Sequence, residues 1–484
     1  MITGGRKMNV LFFFTDEMRA DVLRCYGNQV SKTPNYDWIA KEGTCFENTY
    51  VANPVCVGSR CSLLTGWYPH VNGHRSLLHF IDEHHPNFMK DFKDAGYNVQ
   101  FYGKNHCLND EASRQSFTKS LGLKLAWRKD NEVVKTEKLP MFSGRYHMLL
   151  EPMEDEELEE MTDTKMVNAG VDFLNHYQKG ENPFFLFVSL NNPHAPYTIP
   201  KKYYDMYNPD DLPELRRKDL ENKPAFMRII REYSHFEKVD DDTFRKCAAV
   251  YLGMVKYCDD MLGRLIEALK QNRLLEDTII VTSSDHGDWA GDYGLVEKWP
   301  NAFDDDLTKV PLLIRVPNSL KEHKVKQLVS ELDIFPTLLD YAGIKAKHDH
   351  FGKSLRNLID GEKETEDAVV YCEGGYDVRE QQCFEGTERD YNFLMRPECI
   401  YYPKMLIQQE RQECVCRGTM MRKKNWKLIV RTNGENELYN LEVDAKEEKN
   451  LYYNPNYKNI VCEMKNQMLD WYLQTSDVVP RLQE

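Results

Sequence analysis

The sequence has no uninterrupted apolar run of bilayer length, no C-x-x-C pair, no internal repeat, no low-complexity tract and no excess of basic charge. Each absence excludes something. A membrane-spanning helix needs about 20 mostly apolar residues, so no membrane partner is expected. The thirteen cysteines fall at no framework or zinc-ligand spacing, even where Cys372, Cys383, Cys399, Cys414, Cys416 and Cys462 crowd the C-terminal third. Being odd in number, they read as free thiols of a reducing compartment. The formal net charge of −14 leaves no basic face for a nucleic-acid backbone, although a local basic pocket inside an acidic protein can still take a small anion. The opening MITGGRKMNVLFFFTDE places a basic pair before a short apolar run that ends in acids. It reads as a first strand and not as an export signal, with Met8 as a second start. The expectation is a cytoplasmic protein.

What is present is an ordinary globular composition, 41% hydrophobic and 29% charged over 484 residues, long enough for two or three domains. Four short apolar runs read as strands buried on both faces, as in a parallel sheet covered by helices. Each ends in chemistry: NVLFFFTDE at Asp16 and Glu17, NVQFYGKNH at Lys104 and His106, PFFLFVSLNNPH at His194, and TIIVTSSDHGD at Asp285 and His286. Helical patterns lie between them, so the fold class is α/β. Ligands in such sheets bind beyond the carboxyl ends of the strands, and the four ends are expected to converge. Asp16, Glu17, Asp285 and His286 make a set suited to a hard divalent cation. Arg60, Lys104, His106, His194 and Lys298 add positive charge and donors, which together with a metal suit a sulfate or phosphate group. Taken singly, DHG is a turn, Lys-x-His a solvated loop and TDE the start of a helix; their convergence carries the inference.

The stretch ANPVCVGSRCSLLTG raises a separate question. SRCSLLTGWYP reads as a short helix beginning near Ser59, which sets Cys56 beside a helix N-terminus, where a thiol pKa falls and an anion is welcome. A buried structural cysteine is one reading. A cysteine-type phosphatase is excluded, because it wants five residues between thiol and arginine and this chain has three between Cys56 and Arg60.

CVGSRCSLLTG resembles the signature of the formylglycine-dependent sulfatases, C-x-P-S-R followed by a short helix and Thr-Gly. The resemblance runs from about Asn9 to Leu451, in order, through FFFTDEMRAD, AGYNVQFYGKNH, NNPHAPY, SSDHGDWAGDYGLVEKW and the closing NWKLIVRTNGENELYNLEVDAKEEKNL. It implies an alkaline-phosphatase-like fold: a large mixed, mostly parallel sheet sandwiched by helices, with a smaller C-terminal α+β subdomain containing an antiparallel sheet. It implies that a maturase converts Cys56 to formylglycine, whose hydrate is the nucleophile, and that Arg60 holds the modified side chain. Asp16, Glu17, Asp285 and His286, with residue 56, would bind one divalent metal, usually Ca²⁺, with Mn²⁺ or Mg²⁺ as alternatives. Lys104 and Lys298 would bind sulfate oxygens, His106 would assist the aldehyde hydrate, and His194 would protonate the leaving alcohol. The substrate implied is a small anionic sulfate ester, of an organic alcohol or a saccharide.

Gly58, His286 and Glu17 depart from the pattern. Gly58 stands where the family has proline or, less often, alanine. His286, where asparagine is common, and Glu17 lean toward choline sulfatases and phosphonate monoester hydrolases. A phosphonate monoester or phosphodiester hydrolase on the same scaffold is therefore an alternative, as is a non-catalytic, metal-stabilised binding protein in which Cys56 stays a thiol.

His74, Arg75, His79, His84 and His85 either line the mouth of the pocket or belong to a solvated loop. The acidic stretch 151–163 reads as a solvated helix face or a lid, and residues 200–245 as an inserted, proline-punctuated loop region. Charge replaces strand-helix alternation over 352–368, giving a catalytic domain 1–365 and a C-terminal subdomain 366–484.

Overall fold

The run NVLFFFT is apolar at nearly every position because it is buried from two sides. In the computed structural model, which describes residues 7–123, 148–385, 397 and 399–479, it forms strand β1 (Asn9–Thr15), every residue of which is buried. Successive strand side chains point to opposite faces. Leu11 and Phe13 enter one core cluster, and Val10, Phe12 and Phe14 enter another. Among the described residues, β1 belongs to an eight-stranded sheet with β2 (Thr44–Phe46), β3 (Asn98–Lys104), β4 (Lys119–Leu123), β5 (Phe184–Ser189), β6 (Thr278–Ser284), β7 (Leu312–Arg315) and β8 (His323–Val325). The spatial order is β8-β2-β7-β6-β1-β5-β3-β4. β1 lies between parallel β5 and β6, while β7 runs antiparallel to β6 and β2.

Helices cover both faces. α1 (Pro34–Glu42) supplies Tyr36 and Ile39 to the first cluster. On the opposite face lie α2 (Cys56–Thr65), with Val57, Cys61, Leu63 and Leu64, and α3 (Phe88–Asp94), with Phe88, Met89 and Phe92. α4 (Thr162–His176) adds Val167 and Leu174 to the first face. α5 (Ala225–Tyr233) follows, then the long α6 (Asp241–Gln271), whose start is capped by Asp240 accepting from Thr243 N at 2.8 Å. α7 (Ile334–Ala342) closes the second face with Phe335 and Leu338.

Beyond residue 368, a four-stranded antiparallel sheet forms from β9 (Val369–Gly374), β10 (Gly418–Lys423), β11 (Trp426–Arg431) and β12 (Glu437–Asn440). α8 (Tyr402–Glu410) precedes β10. α9 (Lys458–Thr475) lays Val461, Met464, Met468 and Trp471 against Met421, Leu428 and Leu438. The expected fold class is the one observed. No helix among the described residues is long and apolar enough to cross a membrane.

One regional expectation needs correcting. Residues 200–245 are not a loop throughout: α5 buries Phe226, Met227, Ile229 and Ile230 and packs on α8. The helical spacing of these apolar residues is masked by the charged and proline-rich sequence around it. The polar segment before α5 is tied down by two cations, Arg216 on Asp306 at 2.7 Å and the buried Lys223 on Asp304 at 2.6 Å.

The carboxyl ends of the neighbouring parallel strands β6, β1, β5 and β3 lie at one end of the sheet, and there the site forms.

Candidate active site

Asp16 and Asp285 follow the last residues of neighbouring parallel strands β1 and β6, so their carboxylates meet. α2 brings Cys56 to the same place. It begins at Cys56, three residues earlier than expected, with Val55 before it in extended conformation. One ligand atom each from Asp16, Cys56, Asp285 and His286 lies within 4.8 Å of the others, and all four residues are buried. Cys56 Sγ is 3.7 Å from Asp16 Oδ1 and 3.3 Å from His286 Nε2. His286 Nδ1 faces the Gly287 carbonyl at 2.8 Å. A carbonyl only accepts, so Nδ1 carries the proton and the Nε2 lone pair is turned toward the group.

Arg60, one turn along α2, bridges the acids. Its Nε donates to Asp285 Oδ2 at 2.7 Å, Nη2 lies 3.5 Å from Asp16 Oδ2, and Nη1 donates to Ser189 Oγ at 2.8 Å and to the Lys104 carbonyl at 2.9 Å. Lys104 Nζ pairs with Asp16 Oδ2. Burial works to raise the Asp16 pKa, but Lys104 and Arg60 outweigh it and hold the carboxyl well below the usual range. Asp16 is therefore ionised.

Glu17 faces the other way. Its backbone N donates to Asp285 Oδ1 at 3.1 Å at a positive φ of 66°, and this turn sends the side chain to Lys298 and to His194 Nε2, 3.3 Å away. It is not in the four-residue group but shares a second possible ligand cluster with Asp16 and His194. Glu17 Oε2 is buried and makes no hydrogen bond among the described residues. His194 Nδ1 faces the Ala195 carbonyl, and Nε2 accepts from Lys298 Nζ at 2.8 Å. Burial, then Lys298 and Lys104, push His194 down to about 3, so the imidazole is neutral here. His106 is likewise held well below the ordinary range by burial and Lys104, and its Nδ1 is buried without a hydrogen bond among the described residues.

The expectation that a helix start would lower the Cys56 thiol pKa is not met. Burial, with Asp16 beside it, pushes the thiol up to about 12. The short helix cannot offset an anion already next to the sulfur. A thiol in this state is protonated and a poor nucleophile.

The Sulfatase family model matches residues 8–344, a span that contains every residue above. The chain belongs to the sulfatase family. Among its relatives, this sulfatase is 30% identical over 392 residues to an arylsulfatase of Clostridium perfringens, covering 74% of this chain and 80% of that protein. It is 26% identical over 474 residues to a choline-sulfatase of Rhizobium meliloti, covering 94% and 84%. Its fold matches a phosphonate monoester hydrolase, SpPMH from Silicibacter pomeroyi, with a TM-score of 0.76 at 22% identity over 97% of this chain and 96% of that one. This sulfatase is a sulfuric ester hydrolase, and the non-catalytic alternative gives way.

Several groups around the sulfatase site were not singled out in the sequence. Glu331 accepts from Ser59 Oγ at 2.7 Å and from Ala52 N at 2.7 Å, fixing the first turn of α2. Asp163, the last residue of the acidic stretch, is buried and accepts from Asn191 N and Asn192 N at 2.9 and 2.8 Å, which anchors the loop bearing His194. That residue is neither solvated nor part of a lid. Lys404 on α8 donates to Glu297 Oε2 at 2.7 Å and to the Lys298 carbonyl at 2.8 Å. Only the opposite charges of Lys404 and Glu297 hinted at this pair, and their separation in the chain hid it. In the histidine-rich loop, His74 is buried and Phe80 packs on the His106 ring with centroids 6.0 Å apart, whereas His84 is exposed.

Proposed function

We propose that this sulfuric ester hydrolase cleaves the sulfate ester of a small organic alcohol or a sulfated saccharide, with a nucleophile made from Cys56 by maturase oxidation to formylglycine. The observation that carries this reading is the meeting of Cys56 with Asp16, Asp285 and His286, ringed by Arg60, Lys104, His106, His194 and Lys298. Formylglycine hydrate supplies two hydroxyls on one carbon: one to attack sulfur, the other to expel sulfate afterwards. A thiol has no second hydroxyl.

Two carboxylate donors and an imidazole suit one divalent cation. Asp16, Asp285, His286 and residue 56 would hold it, with Glu17 adjoining through Asp16. We take Ca²⁺ as the ion, with Mn²⁺ or Mg²⁺ as alternatives. Bound there, it would supply Lewis-acid stabilisation of charge on a sulfate oxygen.

The chain's own residues do the rest. Arg60 keeps both aspartates oriented. Lys104 and Lys298 stabilise negative charge that builds on the sulfuryl oxygens. Burial opposes the charge on Lys298, but the carboxylates of Glu297 and Asp16 keep it protonated. His106 holds the hydroxyl of residue 56 through its unpaired nitrogen. His194 is neutral before substrate arrives, so its role as acid needs a proton. An anionic ester placed against Nε2 would offset the charge of Lys298 and raise the imidazole pKa, and the protonated ring would then donate to the leaving oxygen.

Hydrolysis of a phosphonate monoester or phosphodiester is a second reading, favoured by the imidazole of His286 in the donor set. Turnover of fully matured enzyme on aryl sulfate, sulfated saccharides, phosphonate monoesters and phosphodiesters separates the two. Sulfate esters should give the highest kcat/KM, and a preference for phosphorus would reverse the order. The cytoplasm, supported by thirteen free cysteines, and a domain division near residue 366 belong to the same proposal.

A further inference from the structure

Gly58, where this chain leaves the C-x-P-S-R pattern, has a partner. It sits in the first turn of α2, two residues after Cys56. A Cβ placed on it would fall 2.4 Å from both Cγ and Oδ1 of Asn53, and 2.8 Å from Nδ2. No real Cβ tolerates such contacts, so only glycine fits while Asn53 stays.

Asn53 is held in place. It is fully buried, its Oδ1 accepts from Val55 N at 3.0 Å, and its Nδ2 donates to the Glu373 carbonyl of β9 at 2.8 Å. Ala52 is tied to the same strand, its carbonyl accepting from Glu373 N at 2.9 Å. Moving the amide aside would break two buried hydrogen bonds and leave their partners unsatisfied.

A proline at residue 58 would preset the backbone angle of the first helical turn and fill space beside it. Glycine does neither, and it loosens a helix. Val55, which precedes α2, makes no side-chain cap. The amide of Asn53 supplies both missing restraints: it occupies the volume next to Gly58 and ties the segment leading into Cys56 to β9.

We propose that Asn53 and Gly58 are a matched pair of positioning residues, in which the Asn53 amide takes the place of a ring at residue 58 and holds the residue-56 side chain against Asp16 and His286. The inference rests on residue 56 being the nucleophile. It also separates two events. The maturase meets an unfolded segment in which Asn53 and Gly58 make no contact, whereas positioning for hydrolysis requires both.

The test compares wild type with Asn53→Ala, Gly58→Ala and the double variant, using the full chain co-expressed with a maturase. Mass spectrometry gives the aldehyde fraction at residue 56, and kcat and KM are expressed per aldehyde-bearing site. Thermal midpoints are measured on the same proteins. Gly58→Ala should lower kcat by tenfold to about a hundredfold, the size expected of a sub-ångström to ångström misplacement, with KM changed by less than about threefold. The double variant should recover most of that kcat and melt above Gly58→Ala, because removing the Asn53 amide makes room for the new methyl. If Gly58→Ala does not fold, the decision falls on Asn53→Ala: a lowered kcat at unchanged KM, relieved in the double variant, supports the pair. Additive losses in the double variant, or full kcat in Asn53→Ala, overturn it. Full activity of wild-type protein wholly in the thiol form overturns the nucleophile assignment instead, and non-additive thermal midpoints still decide the pair.

Discussion

Replacing Lys404 by methionine removes a cation that pairs with Glu297 and lies behind the active-site lysine. Its ammonium donates to Glu297 Oε2 at 2.7 Å, to the Lys298 carbonyl at 2.8 Å and to the Val296 carbonyl at 3.4 Å, and the paired side chains are 9% and 2% exposed. Burial works to raise the Glu297 pKa, but Lys404, Lys298 and His194 outweigh it and lower it from an ordinary 4.5 to about 2. That net shift, two to three units at about 1.4 kcal/mol each, is worth roughly 3 kcal/mol to folding at neutral pH, shared among the cations around Glu297 with Lys404 the largest. That agrees with the loss of about 3–5 kcal/mol when one partner of a buried pair is deleted. The folded value lies below the unfolded one, so this stability is present above about pH 5 and is lost as pH falls toward 2. Lys404→Met should therefore cost roughly 3 kcal/mol at pH 7 and flatten the acid limb of the stability curve between about pH 5 and 2. Denaturant unfolding across that range, on wild type, Lys404→Met, Glu297→Gln and the double variant, measures both effects. The double variant should lose less than the sum of the singles, because glutamine leaves no buried charge unpaired. Strict additivity, or an unchanged acid limb, would refute the argument. The kcat of Lys404→Met should fall as well, since the backbone of Lys298 loses its anchor.

Other outcomes follow from the same geometry. Chelation should abolish hydrolysis and lower the thermal midpoint, with restoration by added Ca²⁺ or Mn²⁺; Asp285→Asn should reproduce the loss, because it removes a charged oxygen from the donor set and frees Arg60. Lys298→Ala should reduce kcat by about two or more orders of magnitude if its charge meets the sulfuryl oxygens, whereas a rise in KM alone would mark it as a ground-state contact. Specific activity across preparations should scale with the aldehyde fraction at residue 56, and protein wholly in the thiol form should be nearly inactive, as its protonated sulfur implies; mass spectrometry of the peptide spanning Cys56 set against turnover checks this. Phe12→Ala should cost about 3–5 kcal/mol, read from the denaturation midpoint, because Phe12 is fully buried and stacks on Phe187 at 4.7 Å.

How far the sequence reaches can be judged residue by residue. Runs such as NVLFFFT and PFFLFVS encode strands buried on two faces, because continuous apolarity has no other stable place in a globular protein, and polar residues at their ends mark the ligand side of the sheet. Asp16, Lys104, His194, Asp285 and His286 could thus be assembled on paper, and the motif around Cys56 joined them to a known family. By itself the sequence determined which strands form the centre of the sheet, which of their ends meet and which chemistry their residues can carry, since those properties are local and periodic. Tertiary structure decided the rest: that α2 starts at Cys56, that Glu17 turns toward Lys298, that the thiol is buried against Asp16, and that Lys404 and Asn53 support the site from afar. Lys404 reaches Glu297 across 107 residues, and Asn53 reaches Glu373 across 320. Such contacts leave no spacing or periodicity to read. They depend on how the sheets and helices pack, and a buried charge or a missing Cβ acquires its meaning only from the atoms that the fold places beside it.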